Sequence, residues 1–241
     1  MGMEAKPKVV ILCGGMGTRL REETEAKPKP LVEVGGHPIL WHIMKLYAHA
    51  GFTDFVLCLG YKGQLIREHF EENNREGWNI IFADTGEKTN TGGRIKRAEK
   101  FIDCENFMAT YGDGLSTVDL NALYDYHLRH GKVATITCVH PYSKYGEVAL
   151  AKDGAVQNFV EKPVLKDYIN GGFHVYKRGF LAYLGEDDVL EHKPFARLVQ
   201  EKQMMGFRHE GFWHSMDTWR DKEDLNAMWN CGTPAWKIWK D

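Results

Sequence analysis

No apolar run in the sequence approaches the roughly 20 residues that a membrane-spanning helix needs. Met1 to Lys8 contains no apolar stretch of the kind a secretory leader carries. Cysteine is scarce and odd in number: five residues, at 13, 58, 104, 138 and 231, in no CxxC or zinc-ligand spacing. That pattern excludes a disulfide framework and a structural zinc site, and predicts buried, reduced thiols in a cytoplasmic protein. Net charge is also lacking. A formal value of −2 rules out the basic surface of a general nucleic-acid binder. The eleven histidines form no HExxH pair; His127 and His130 share a helix face, but read as structural. Repeats, low-complexity segments and Ser/Pro-rich linkers are absent. The chain therefore reads as one domain over residues 1–241, with nucleotide bound by its first half.

What is present begins at Val9-Val10-Ile11-Leu12, a short β-forming run without helical spacing, followed at once by Cys13-Gly14-Gly15-Met16-Gly17-Thr18-Arg19-Leu20. Glycines after a buried strand leave main-chain N–H groups open to a ligand, and Thr18, Arg19 and the lysines of Lys27-Pro28-Lys29-Pro30 add donors and positive charge. The loop suits a phosphate chain. It is not a P-loop, because Thr18-Arg19 stands where a Lys-Ser/Thr pair belongs. As a dinucleotide fingerprint it is weak, since a Pro-Lys-Pro loop stands where the packed helix belongs.

Further along, apolar residues at helical spacing (Ile39 to Ala50, Leu65 to Phe70) alternate with β-rich runs (Phe55 to Leu59, Trp78 to Phe82). Phe107 to Tyr111 and Ala134 to Val139 add two more strands, separated by a helix over 119–130. Asp153-Gly154 marks a hairpin between 147–152 and 155–160. A short β run at 173–176 and helices near 195–200 and 220–229 follow. The predicted class is α/β: a Rossmann-like mixed, mostly parallel sheet flanked by helices, with a smaller antiparallel extension.

The ordered blocks GGMGTRL, KPKPLVEVGGHPILWHIM, GYKG, TGGRIKR, YGDG, FVEKP, INGGF and GFWHSMDTWRDK cover nearly the whole chain. In that order they resemble the sugar-phosphate nucleotidyltransferases, and most of all the branch that joins CTP to glucose 1-phosphate. One departure stands out: only Glu71 to Gly77 bridges Phe70 and Trp78, where that branch carries a longer excursion.

The resemblance implies an enzyme in which a sugar 1-phosphate attacks the α-phosphorus of CTP and pyrophosphate leaves, with Mg²⁺ as cofactor, in a homo-oligomer without nucleic-acid or membrane partners. It implies nucleotide binding by Leu12, Cys13, Gly14, Gly15, Gly17, Thr18, Arg19, Lys29, Thr89, Arg94 and Gly112. Lys29, rather than Lys27, falls at the family's phosphate-contacting lysine. Arg19, Lys29 and Asp113 would be catalytic, and Asp113 and Asp217 the metal carboxylates. Gly146, Glu161, Lys162 and Asn170 match sugar-phosphate positions.

Taken alone, several of these residues have plainer readings. Asp113 between glycines suits a turn, Asp217 an N-cap, and Glu161-Lys162 a solvated charge pair. Three alternatives stay open at this stage: the same chemistry with dTTP, GTP or another phosphorylated substrate, a binding protein without turnover, and a dehydrogenase.

Overall fold

The computed structural model describes residues 7–240. Its first strands are β1 (Val9–Leu12), the two-residue pair β2 (Glu33–Val34) and β3 (His37–Pro38), β4 (Asp54–Leu59), β5 (Asn79–Asp84), β6 (Asn106–Tyr111) and β7 (Gly114–Ser116). The second half supplies β8 (Ala134–Val139), β9 (Glu147–Leu150), β10 (Val156–Val160), β11 (Ile169–Asn170), β12 (His174–Lys177), β13 (Met204–His209) and β14 (Trp213–Ser215). The helices are α1 (Arg21–Thr24), α2 (Ile39–His49), α3 (Gly63–Asn73), α4 (Thr91–Arg97), α5 (Leu120–His130), α6 (Lys193–Gln200) and α7 (Trp219–Asn230).

The large sheet runs β11-β8-β12-β6-β1-β4-β5, with β13 also pairing β8. Strand β1 lies between β4 and β6, parallel to both. Its side chains alternate between the two buried faces: Val9 and Ile11 join one apolar cluster and Val10 the other. A strand covered on both faces has to be apolar throughout, which is why Val9-Val10-Ile11 reads as an unbroken run. From β1 the chain builds outward through β4 and β5, then returns to lay β6 on the other side of β1. That reversal opens a crevice beyond the carboxyl ends of β1 and β6, where ligands bind in open α/β sheets.

The later strands change the sheet's character. Strand β12 runs antiparallel to both β6 and β8, and β11 antiparallel to β8, while β13 is parallel to β8. Strands β9 and β10 form the expected hairpin, standing apart with its residues exposed. The short pairing of β7 with β14 brings 213–215 beside 114–116 and fixes where the segment before α7 lies. Sequence patterning misses β13 and β14, because Met204–His209 and Trp213–Ser215 are only partly buried and lack clean alternation.

Local chemistry sets the helix ends. Asp119 caps α5 by accepting the Ala122 N–H at 2.9 Å, and Gly131 closes it at a φ of 66°. The short link after α3 is clasped by Asn74, which accepts the Trp78 N–H at 3.1 Å and donates to the Trp78 carbonyl at 2.8 Å. Helix α7 starts in a capping box, with Thr218 Oγ1 accepting the Asp221 N–H and Asp221 Oδ2 accepting the Thr218 N–H at 2.7 Å. We expect Thr218→Ala to cost about 1 kcal/mol of stability in chemical denaturation. A change below about 0.3 kcal/mol would show that packing alone fixes the end of this helix.

Candidate functional site

Main-chain geometry shapes the crevice beyond β1 before any side chain enters it. A Cβ on Gly14 would stand 2.0 Å from the Arg94 guanidinium, so a side chain here would have to displace it from its hydrogen bonds. Gly17 turns at a φ of +62°, where a non-glycine residue is strained, and a Cβ on Gly15 would meet nothing within 4 Å. Arg94 is buried and braces the loop from below. Its Nη2 donates to the Gly14 carbonyl at 3.0 Å and to that of Glu87 at 3.1 Å. Its Nη1 donates to the Leu59 and Gly86 carbonyls at 3.1 and 2.8 Å and to Thr85 Oγ1 at 2.9 Å. The guanidinium is thus committed to shaping the crevice floor. Cys13 beside it is buried, and burial and the neighbouring Cys58 push its thiol pKa well up.

A cavity of about 350 Å³ opens at this point, lined by Leu12, Cys13, Gly14, Gly15, Gly17, Thr18, Arg19, Lys29, Thr89, Arg94, Gly112, Asp113 and Asp217. Residues from five separate stretches of sequence meet there. Lys29 opens a 3₁₀ turn, Lys29–Leu31, that points it inward, whereas Lys27 pairs outside with Glu33 at 3.2 Å. Asp113 stands two residues beyond the end of β6, after Gly112.

Asp217 is left out of the helix cap, because Thr218 and Asp221 perform the capping; its carboxylate turns to the crevice instead.

The charged centre is compact. Lys29 Nζ lies 2.6 Å from Asp113 Oδ2 and 2.9 Å from Asp217 Oδ1, and Arg19 Nη2 lies 3.0 Å from Asp217 Oδ1. Burial opposes the charge on Lys29, but Asp113 and Asp217 outweigh it and raise the ammonium's pKa. Asp217 is shifted in the complementary sense: Lys29 and Arg19 outweigh burial and hold its carboxyl below the usual range.

Two carboxylates therefore converge on one positive centre. Among the described residues no group of three or more His, Cys, Asp or Glu side chains is placed to hold a metal. A divalent ion between Asp113 and Asp217 would draw its other ligands from phosphate and water. That is how Mg²⁺ is held in phosphate sites, and the hard oxygen donors here fit it.

The residues expected on the sugar-phosphate side are more dispersed. Asn170, at the end of β11, lines a smaller cavity together with Tyr111, Asp113, Trp213, Ser215 and Asp217. Lys162 lines a third cavity, which also reaches Trp213, Ser215 and Asp217. Gly146 and Glu161 stand at the base of the exposed hairpin, close enough that a Cβ on Gly146 would lie 3.0 Å from Glu161 Oε2. Asn90, Thr91 and Tyr111 also line the first cavity, although sequence reasoning passed over them. Tyr111 was within reach, as it is the tyrosine of the YGDG block.

His127 Nδ1 and His130 Nε2 both meet Thr135 Oγ1 at 2.8 Å, in agreement with a structural role.

The nucleotidyl transferase family pattern matches residues 8–233. The chain is 43% identical to a glucose-1-phosphate cytidylyltransferase of Salmonella typhimurium, over 97% of this chain and all of that protein. It is 36% identical to a mannose-1-phosphate guanyltransferase of Saccharomyces cerevisiae, over 91% of this chain and 63% of the relative. Among solved structures, HddC from Yersinia pseudotuberculosis complexed with GMP-PN superposes with a TM-score of 0.75 at 25% identity, covering 93% of this chain and all of that one. With a family match across nearly its full length, the chain belongs to the nucleotidyl transferases.

Proposed function

We propose that this protein condenses CTP with a sugar 1-phosphate, glucose 1-phosphate first, to give a CDP-sugar and pyrophosphate. One observation carries the reading: Arg19, Lys29, Asp113 and Asp217 converge at the switch point, in a chain aligned end to end with a glucose-1-phosphate cytidylyltransferase. A phosphate oxygen of the sugar phosphate attacks the α-phosphorus of CTP. The new P–O bond forms as the bond to pyrophosphate breaks. Such a displacement depends on alignment and charge neutralisation.

The open backbone at Gly15 and the turn at Gly17 let the triphosphate lie against main-chain N–H groups, and Arg19 and Lys29 supply the cationic donors. Asn170, Glu161 and Lys162 would position the second substrate. Asp113 and Asp217 would hold Mg²⁺, which when bound neutralises phosphate charge. A reducing, cytoplasmic setting is the one that suits an odd number of scattered cysteines; burial holds for Cys13 and Cys58, whereas Cys104 and Cys138 are half-buried and Cys231 is exposed. The exposed apolar residues Val148, Leu150 and Phe159 on the β9–β10 hairpin support homo-oligomer formation.

A second reading, the same chemistry with GTP, is favoured by the guanyltransferase relative. Pyrophosphate release measured for CTP, GTP and dTTP against glucose and mannose 1-phosphates separates the two. We expect CTP with glucose 1-phosphate to lead in kcat/KM by about tenfold or more. A lead for GTP would transfer the assignment to guanosine, and turnover with none of the pairs would remove the enzymatic reading.

A further inference from the structure

A hydrogen-bonded chain links Thr91 and Tyr111, which line the first cavity, with Asn170, which lines the smaller one beside it, and each of its protons can be assigned. Thr91, the first residue of α4, accepts the Leu190 N–H at 2.8 Å, so its hydroxyl donates to Glu191 Oε2 at 3.1 Å. Tyr111 donates its hydroxyl proton to Glu191 Oε1. Burial and the Glu191 charge both raise the Tyr111 pKa, so the phenol keeps that proton. The phenol oxygen is then left to accept Asn170 Nδ2–H at 3.3 Å.

The other half of the Asn170 amide is fixed as firmly. Its Oδ1 accepts the backbone N–H of Gly172 at 3.1 Å, which excludes the flipped amide. His174 Nε2, 2.8 Å from the same oxygen, must therefore be the protonated ring nitrogen. His174 Nδ1 is then the acceptor for the Tyr176 hydroxyl at 2.9 Å. Both His174 and Tyr176 are buried beneath the cavity, out of reach of a ligand. Burial also depresses the imidazole pKa to about 3, so the ring stays neutral under ordinary conditions.

We propose that His174 is a positioning residue which, with Tyr111 as the second anchor, locks Asn170 so that it offers the second substrate only an N–H donor. The proposal rests on the reading of Asn170 as a sugar-phosphate ligand. With Oδ1 doubly engaged and one Nδ2 hydrogen given to Tyr111, a single N–H remains. Asn170 lines the cavity shared with Asp113 and Asp217, where that N–H is the one its amide has left to offer. Asn170 therefore recognises an oxygen lone pair, of a sugar hydroxyl or a phosphate, and gives no acceptor to a ligand N–H or O–H.

Two measurements test this. In His174→Phe the anchoring donor is lost, and the KM for glucose 1-phosphate should rise about three- to tenfold while that for CTP stays constant. His174→Gln, which restores an N–H donor, should recover part of the loss. Equal rises in both KM values, or a loss confined to kcat, would overturn the positioning role. The second measurement is made on the wild-type protein and needs no turnover: ¹⁵N resonances of His174 should show Nε2 protonated and Nδ1 bare. An Nδ1–H tautomer or an imidazolium overturns the proposal even if the variants fail to fold. If the wild-type protein turns over no sugar phosphate, the functional reading fails, and the tautomer alone decides whether the lock exists.

Discussion

Asp113→Asn should lower kcat by about two to three orders of magnitude while leaving the protein folded. Asparagine keeps the shape of aspartate but carries no charge. Its loss leaves Lys29, now 2.6 Å from an Asp113 oxygen, with Asp217 as its only carboxylate partner in the crevice. The centre becomes one charge more positive and retains one hard anionic donor for a divalent ion in place of two. The Mg²⁺ concentration for half-maximal activity should rise in the same variant, which a mere distortion of the loop would not produce. Asp113 is partly solvated at the mouth of the crevice, so the melting temperature should move by only a few degrees. A folded Asp113→Asn protein with near-normal kcat would take this residue out of the mechanism.

Acid should unfold the protein through its buried histidines. Burial pushes the pKa of His42 and of His127 down to about 4 and that of His174 down to about 3. An unfolded-chain imidazole titrates near 6.5. For a group whose folded pKa is depressed, the stabilisation is present above the unfolded pKa and is lost as pH falls toward the folded one. Here the window lies between about pH 6.5 and about pH 4, where the unfolded chain binds protons that the fold excludes.

Each ring contributes about 1.4 kcal/mol per pH unit, so the group contributes about 4 kcal/mol per unit. The hydrogen bonds explain why protonation is opposed. His42 Nε2 serves the Val34 carbonyl at 2.8 Å, and Nδ1 accepts Trp236 Nε1–H at 3.3 Å, so a second ring proton would face another N–H. His127 Nε2 is buried without a hydrogen-bond partner. Denaturant melts at about pH 7 and about pH 5 should differ by several kcal/mol, and equal stabilities would refute the assignment.

Much of the crevice around the glycine loop was legible in the sequence, for a physical reason. A strand buried on both faces must be apolar throughout, and Gly17 turns at a φ of +62° that favours glycine. The run from Val9 to Gly17 therefore announces its conformation, a strand that breaks into a tight loop. The hairpin at Asp153-Gly154 and the cap at Asp119 are equally local and were equally readable.

Other assignments turned on partners distant in sequence. Asp217 suits an N-cap by its position in the sequence, but Thr218 and Asp221 perform that task. Arg94 matched a nucleotide-binding position, yet its guanidinium braces carbonyls of Gly14, Leu59, Gly86 and Glu87. The family pattern favours Lys29 over Lys27, and the 3₁₀ turn gives the geometric reason.

The sequence alone determined the family, the order of the longer strands and helices through the first half, and the identity of the charged residues, because these follow from local pattern and residue type; the short β2, β3 and β7 and the one-turn α1 escaped it. Only the tertiary structure decided which charges meet. Lys29 and Asp217 stand 188 positions apart, and their contact depends on how β7 pairs with β14 and where β6 is laid beside β1. It also decided the direction of every proton around Asn170, since those directions are set by backbone donors and neighbouring rings that no spacing of residues records.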